Sequence, residues 1–398
     1  MPRDERDSTP PRSLEHPLPA GMRDLLPEEA QSRRAVARKI LDSFALHGYA
    51  LVTPPAFELA DVLERGLGTL DPADVLRFVE PESGEVAALR PDMTPQVARM
   101  IATRLHGAIP PFRLCYEGTV LRRRSGRAHK RRQIPQVGVE LAGLAGPDGD
   151  LELLSVAADA LAASGLQRFA IDLGDAGIVR ALLGDASSAM AARASDVMSR
   201  KDEAELAELL GLAHVDALRA LLALQGGPEV LAEGAKLLAS TPAAAALARL
   251  RTLYDRAAAR GLGAHLQLDL GEVRGFAYYT GPIFHLYAPG PGEAIGSGGR
   301  YDDLLARFGA PMPAVGFALD LDRVVVALRA AGAAPAPPER VVVVGAPDDP
   351  RVAELRARGV AAVAFADAQG AHAYARAWGF TRVLDDGTSP ASPGRGPH

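Results

Sequence analysis

The residues between about 178 and 262 constrain the fold more than any other stretch. They are rich in Ala and Leu, are broken only by polar or Gly-Gly-Pro turns, and contain no convincing strand. Strand-like runs stand on both sides, "RFAIDLGD" before and "HLQLDLG" and "IFHLYA" after. Alternation marks a half-buried strand, whereas a helix repeats its apolar residues every three to four. A helical subdomain is therefore inserted between strands, and the fold class is α+β. Upstream, Val36, Ile40 and Phe44 recur at four-residue spacing in a helix starting near Pro27, with Gly48 placed as its C-terminal cap. "YALVTPPAF" reads as a short strand stopped by Pro54 and Pro55, and "IPQVGVELAG" alternates through Val137, Val139 and Leu141. Helices are expected over about 151–163, ended by Ser164-Gly165, and over 316–330.

The Pro-rich segment 333–339 is a linker by composition. It separates a core over 18–332 from a small β-α-β-α-β unit over 340–387, which lacks a GxGxxG and is not read as a dinucleotide site. Residues 1–17 and 388–398 read as disordered tails. The one cysteine, Cys115, excludes an internal disulfide and a cysteine-based metal site, and no histidine pairing suggests a metal. Neither a signal-peptide core nor a bilayer-length apolar run is present, so a soluble, cytoplasmic protein is expected, with no membrane partner. Net charge is −5, so the arginine-dense start of "VLRRRSGRAHKRRQIPQVGVE" (Val120 to Glu140) is a local feature rather than a basic domain.

Several separated segments gain meaning from their order. "GMRDLLPEEA", "VTPPAFE", "LRPDMTPQVAR", "YEGTVLRRRSGRAHKRRQIPQVGVE", "VRGFAYYTGPIF", "GGRYDDL" and "GFALDLDR" occur in sequence from about Pro19 to Leu328. Together they resemble the catalytic core of class II aminoacyl-tRNA synthetases, specifically histidyl-tRNA synthetase. The resemblance implies an antiparallel sheet flanked by helices and a dimer built around the first motif, here at Pro54. It makes the arginine run the loop of the second motif. Carried over residue by residue, it implies a histidine pocket. Asp92, Thr94 and Gln136 would hold the α-ammonium, Glu140 the imidazole N–H, and Tyr278 and Tyr279 the ring. Arg274 would lie near the reacting α-phosphate and is counted with the histidine-binding residues. The family usually has glutamate where Asp92 stands, one methylene longer. The set is chemically coherent, because free histidine carries a cationic end and a ring donor, and each needs an acceptor.

The resemblance is weaker on the nucleotide side. Arg122 and Arg323 match the arginines of the second and third motifs, and could still hold a phosphate or other anion. Arg124 stands in place of an adenine-side glutamate, Ala277 in place of an aspartate, and Asp320 in place of a glycine close to ATP, where a carboxylate would repel phosphate. The family's anticodon-binding domain is also cut short, since only residues 340–398 follow the linker. A synthetase core that keeps its amino-acid side and loses adenylation resembles the regulatory subunits of ATP phosphoribosyltransferase, and "LRPDMTPQVAR" is closer to their version. That resemblance implies no catalytic residues, no cofactor and no tRNA. It implies L-histidine as ligand, a short-form catalytic subunit as partner, and a hetero-octamer built on a dimer of this chain. The alternative is an active histidyl-tRNA synthetase core lacking a full anticodon-binding domain.

Overall fold

The computed structural model describes residues 18–67, 74–123, 131–209, 214–273 and 278–385. The two expected tails, Arg124, Arg274 and Ala277 lie outside the described residues. The chain divides into two compact units, one up to Ala334 and one from Pro335.

Among its described residues the first unit has twelve strands: β1 (Ala50–Leu51), β2 (Phe57–Leu59), β3 (Arg77–Val79), β4 (Val86–Leu89), β5 (Phe112–Leu121), β6 (Gln133–Ala142), β7 (Ala170–Asp175), β8 (Gln225–Gly226), β9 (Leu266–Asp269), β10 (Pro282–Tyr287), β11 (Gly296–Arg300) and β12 (Ala314–Asp320). Nine form one sheet in the order β1-β5-β6-β12-β11-β10-β7-β9-β8. Its long neighbours are antiparallel, as expected, but β1–β5 and β7–β9 pair in parallel, so the sheet is mixed. Parallel strands need a long crossover, and the helical insertion supplies it between β7 and β9. A separate antiparallel sheet, β2-β4-β3, was not legible in the sequence.

The alternation in β6 decides what lies on each side of the large sheet. Val137, Val139 and Leu141 enter the main core with the helix Asp148–Ser164 and the helix Pro27–Leu46. Ile134 and Ala142 face a second cluster with Tyr116, Met93, Val97 and Tyr301. The candidate site opens on that second face. Gly48 follows the helix Pro27–Leu46 with φ +82°, and Gly165 caps the helix Asp148–Ser164 with φ +107°, the left-handed geometry that favours glycine.

Two readings need correction. Residues Gly316–Asp320 are strand, not helix, and the helix runs only over Leu321–Ala330. The cause is Asp320, whose side chain accepts from the backbone N–H groups of Asp322 and Arg323 and so starts the helix there. The inserted helical stretch also contains one two-residue strand, β8, paired with β9.

The second unit has three parallel strands, β13 (Arg340–Val344), β14 (Ala361–Phe365) and β15 (Arg382–Leu384), in the order β14-β13-β15. Val341 and Val343 pack with Val352 and Leu355, and Val342 with Ala371 and Ala375, so each face of the sheet has its own helix. Among the described residues no helix is long and apolar enough to cross a membrane.

Candidate functional site

β6 presents Gln136, Gly138 and Glu140 on the second face of the sheet, opposite Asp320, Ala318 and Gly316 of β12. The segment 90–94 is laid against them by arginine contacts to backbone carbonyls. Arg90 donates to Thr119 O at 2.9 Å and Pro54 O at 3.0 Å, while Arg122 donates to Pro91 O at 2.7 Å. This fixes Asp92, whose carboxylate accepts from the Met93 N–H at 2.7 Å, and Thr94, which opens the helix Thr94–Arg104. Thr94 Oγ1 then donates to Glu140 Oε1 at 2.7 Å. Arg122 Nη2 stands 4.0 Å from Asp92 Oδ2.

The far wall is aromatic. Tyr278 meets Tyr279 edge-on at 5.3 Å between ring centroids and Tyr301 at 5.0 Å. Glu140 is 4% exposed, and Tyr116 and Tyr301 are buried beside it. Gly316 is required by this crowding: a Cβ there would overlap Glu140 Oε2 and Tyr301 Oη. Gly138 likewise leaves room for the Tyr116 hydroxyl.

Electrostatics follow from burial. Glu140 is pushed well above the usual carboxylate range by desolvation; its Thr94 hydrogen bond opposes the shift and the negative charge of Asp92 adds to it. Tyr278 is raised well above the ordinary tyrosine value by burial, then by Glu140 and Asp92. Gln136 Oε1, Tyr278 Oη and Tyr301 Oη are buried and make no hydrogen bond to a described group, while the Tyr116 hydroxyl lies against Glu140 and Thr94. An unsatisfied buried donor or acceptor costs about 1–3 kcal/mol, so these atoms mark a candidate position for a small polar ligand, although the cavity beside Glu140 measures only about 10 Å3.

Of the expected residues, the structure brings together Asp92, Thr94, Glu140, Tyr278 and Tyr279, with Arg122 at the edge and Gln136 further along the same face of β6. Arg274 lies outside the described residues. Arg323 lines a different cleft, where its Nη1 donates to Ala294 O at 2.6 Å and it pairs with Glu293 and Asp320. Sequence reasoning missed Tyr116, Tyr301 and Gly316. Tyr116 faces Gly138 across β5 and β6, a signal that requires the register and cannot be read locally. The carboxylates of Asp172, Asp269 and Glu272 lie close together elsewhere, with Lys201 3.1 Å from Asp269 and His285 3.5 Å from Glu272.

The inserted helices touch the back of this site. Arg180 donates to Tyr279 O at 2.7 Å, and the Ala176 N–H donates to Gly281 O at 3.0 Å.

Comparison with known proteins agrees with this fold. The family model of histidyl-tRNA synthetase matches residues 21–324. The chain is 45% identical over 337 residues to the ATP phosphoribosyltransferase regulatory subunit of Anaeromyxobacter sp. (strain Fw109-5), covering 82% of this chain and 98% of that one. It is 38% identical to the protein of that name from Geobacter sulfurreducens, covering 80% and 75%. Among solved structures, an ATP phosphoribosyltransferase regulatory subunit/histidyl-tRNA synthetase from Bacillus halodurans superposes with a TM-score of 0.80 at 27% identity, over 94% of this chain and 98% of that one. Histidyl-tRNA synthetase from Nostoc sp. shares the fold, with a TM-score of 0.73 at 21% identity over 92% and 90%.

Proposed function

This chain belongs to the histidyl-tRNA synthetase family, among the relatives named ATP phosphoribosyltransferase regulatory subunit, and from that premise we propose that it is a non-catalytic histidine sensor. Membership carries a regulatory role in histidine biosynthesis. The finer reading is that the chain assembles in the cytoplasm with a short-form catalytic subunit, as a hetero-octamer built on a dimer of this chain. It makes that subunit active and relays feedback inhibition by L-histidine. It has no turnover, cofactor or tRNA of its own.

One observation carries the ligand assignment: the buried Glu140 lies beside the Tyr278 and Tyr301 hydroxyls, which have no partner among the described residues, with a second carboxylate, Asp92, close by. The ammonium of histidine is assigned to Asp92, Thr94 and Gln136, and its ring N–H to Glu140 between Tyr278 and Tyr279. Arg274 completes the set by family resemblance. Arg122 and Arg323 are remnants of an anion site. Two hydrogen bonds from the inserted helices to the Tyr279–Gly281 backbone support a route from pocket to insertion, through which occupancy could alter the partner contact. A coupling of about 1–3 kcal/mol is enough for useful inhibition, and linkage then requires the partner's substrates to weaken histidine in return.

Glu140→Ala, assayed with the catalytic subunit, tests the scheme. The inhibitory histidine concentration should rise while activation of the partner is retained. Joint loss of both in a folded variant would sink the scheme, because pocket and activating surface would then be inseparable.

A further inference from the structure

The helix Ser188–Ser199 of the insertion ends on two reverse hydrogen bonds. The Lys201 N–H donates to Met198 O at 2.9 Å and the Asp202 N–H to Val197 O at 3.2 Å. Glycine usually makes this kind of helix stop, because the residue after the cap adopts positive φ. Here Lys201 adopts it, at φ +54°. A side chain is disfavoured in that conformation, so what this one reaches bears on why lysine stands there.

It reaches out of the insertion to the end of β9. Lys201 Nζ donates to Asp269 Oδ2 at 3.1 Å, and Asp269 is buried. Carboxylate oxygens of Asp172, Asp269 and Glu272 lie within 4.8 Å of one another, with His285 Nδ1 3.5 Å from Glu272. Burial pushes the Asp269 carboxyl up, the Lys201 ammonium opposes this, and Glu272 adds to the rise. Asp269 Oδ1 accepts from the Gly271 N–H at 3.0 Å, so the carboxylate that Lys201 grips also shapes the turn 269–273. The insertion holds that turn at further points. The Leu270 N–H donates to Leu224 O at 3.1 Å, and Ser195 Oγ donates to Val273 O at 3.4 Å. Gly271 lies so close to the helix Val215–Leu221 that a Cβ on it would stand 3.0 Å from Leu221 O. Tyr278 and Tyr279 come a few residues later in the chain, where Arg180 of the insertion holds Tyr279 O at 2.7 Å. Insertion helices thus grip the chain both before the tyrosine pair and at it.

We infer that Lys201 is a positioning residue for the ligand pocket: it touches no ligand, and by tying the insertion to the turn 269–273 it keeps Tyr278 and Tyr279 in the arrangement that takes an imidazole ring. This rests on the reading of the pocket as a histidine site. Without the tie, the binding-competent arrangement is a smaller fraction of the folded protein, and apparent affinity falls by that fraction. A second ion pair from the insertion supplies the control. Arg256 donates to Asp148 at 2.7 Å, on the helix Asp148–Ser164 rather than on the turn 269–273, and both partners are largely exposed.

L-Histidine is titrated by calorimetry into the full chain as wild type, Lys201→Met, Lys201→Met with Asp269→Asn, and Arg256→Met, with folding checked by circular dichroism melting. Lys201→Met leaves Asp269 buried without its cation. Should that variant fail to fold, the double variant carries the test, because asparagine removes the charge and keeps an oxygen for the Gly271 N–H. Histidine affinity is expected to fall at least about fivefold in the Lys201 variants, and to stay within about twofold of wild type in Arg256→Met, as for an exposed pair. An ion pair with a structural role alone would lower the melting temperature and leave the affinity of the folded protein unchanged. The inference is overturned if the folded Lys201 variants bind histidine like wild type, or if Arg256→Met loses as much. A folded wild type that takes up no histidine overturns the pocket assignment itself, and the role of Lys201 with it.

Discussion

Glu140→Gln keeps the shape of the side chain and the acceptor for Thr94, and removes only the charge. In the histidine-free protein that charge is a liability: Glu140 is buried, and its carboxyl is held well above the usual range by desolvation. Ionising a buried carboxyl costs about 1.4 kcal/mol for every tenfold by which folding tightens its hold on the proton, and about 2–4 °C of melting temperature accompanies each kcal/mol in domains of 150–250 residues. The variant should therefore melt at least about 2 °C higher than wild type near neutral pH. The sign with pH follows from linkage. A carboxyl whose folded pKa is raised contributes stability fully below the unfolded value of about 4.3 and loses it as pH rises through the folded value. The advantage of Glu140→Gln should thus widen as pH rises from there and then level off. Histidine binding should move the other way. A hydrogen bond to a charged group is worth about 1.5–3 kcal/mol, so affinity should fall about 10- to 100-fold. Thermal melts across pH, with and without histidine, give both readings. A variant that melts below wild type at neutral pH, or a gap that does not widen with pH, would refute this account of Glu140.

Gly316→Ala should lower the melting temperature and abolish histidine binding in calorimetry, because its Cβ meets Glu140 Oε2 and Tyr301 Oη and overpacking costs about 1–3 kcal/mol; binding at wild-type affinity would contradict the pocket. Tyr278→Phe removes a buried hydroxyl without a partner among the described residues, so stability should hold while histidine weakens about fivefold, near 1 kcal/mol; equal affinity would take that hydroxyl off the ligand. Arg300, whose side chain is 5% exposed, donates to the buried Asp150 at 2.9 Å, and Arg300→Met should cost about 3–5 kcal/mol, read as a lower urea midpoint. A midpoint within error of wild type would show the pair to be dispensable.

Local pattern revealed β6, the first helix and the helical insertion, because each repeats its apolar residues over many positions. It did not reveal the two parallel pairings, the sheet β2-β4-β3 or the two-residue β8, which depend on distant chain segments meeting. In "GFALDLDR" the apolar spacing suits a helix as well as a strand. Asp320 was the available signal, a capping residue directly before the true helix start. Glu140 would have passed for a strand-end charge without the family resemblance. Tyr116, Tyr301 and Gly316 belong to the site through register, Glu140 opposite Gly316 and Tyr116 opposite Gly138, and no single segment carries that information.

Histidine-dependent exchange of pyrophosphate into ATP by the purified full chain, run beside a histidine melting titration, tests the central claim most directly. A sensor that has kept its ligand and lost its reaction should show a clear histidine-induced rise in melting temperature and no exchange above background. Exchange that requires histidine would mean the chain still forms an adenylate, and the reading as an active synthetase core would replace this one.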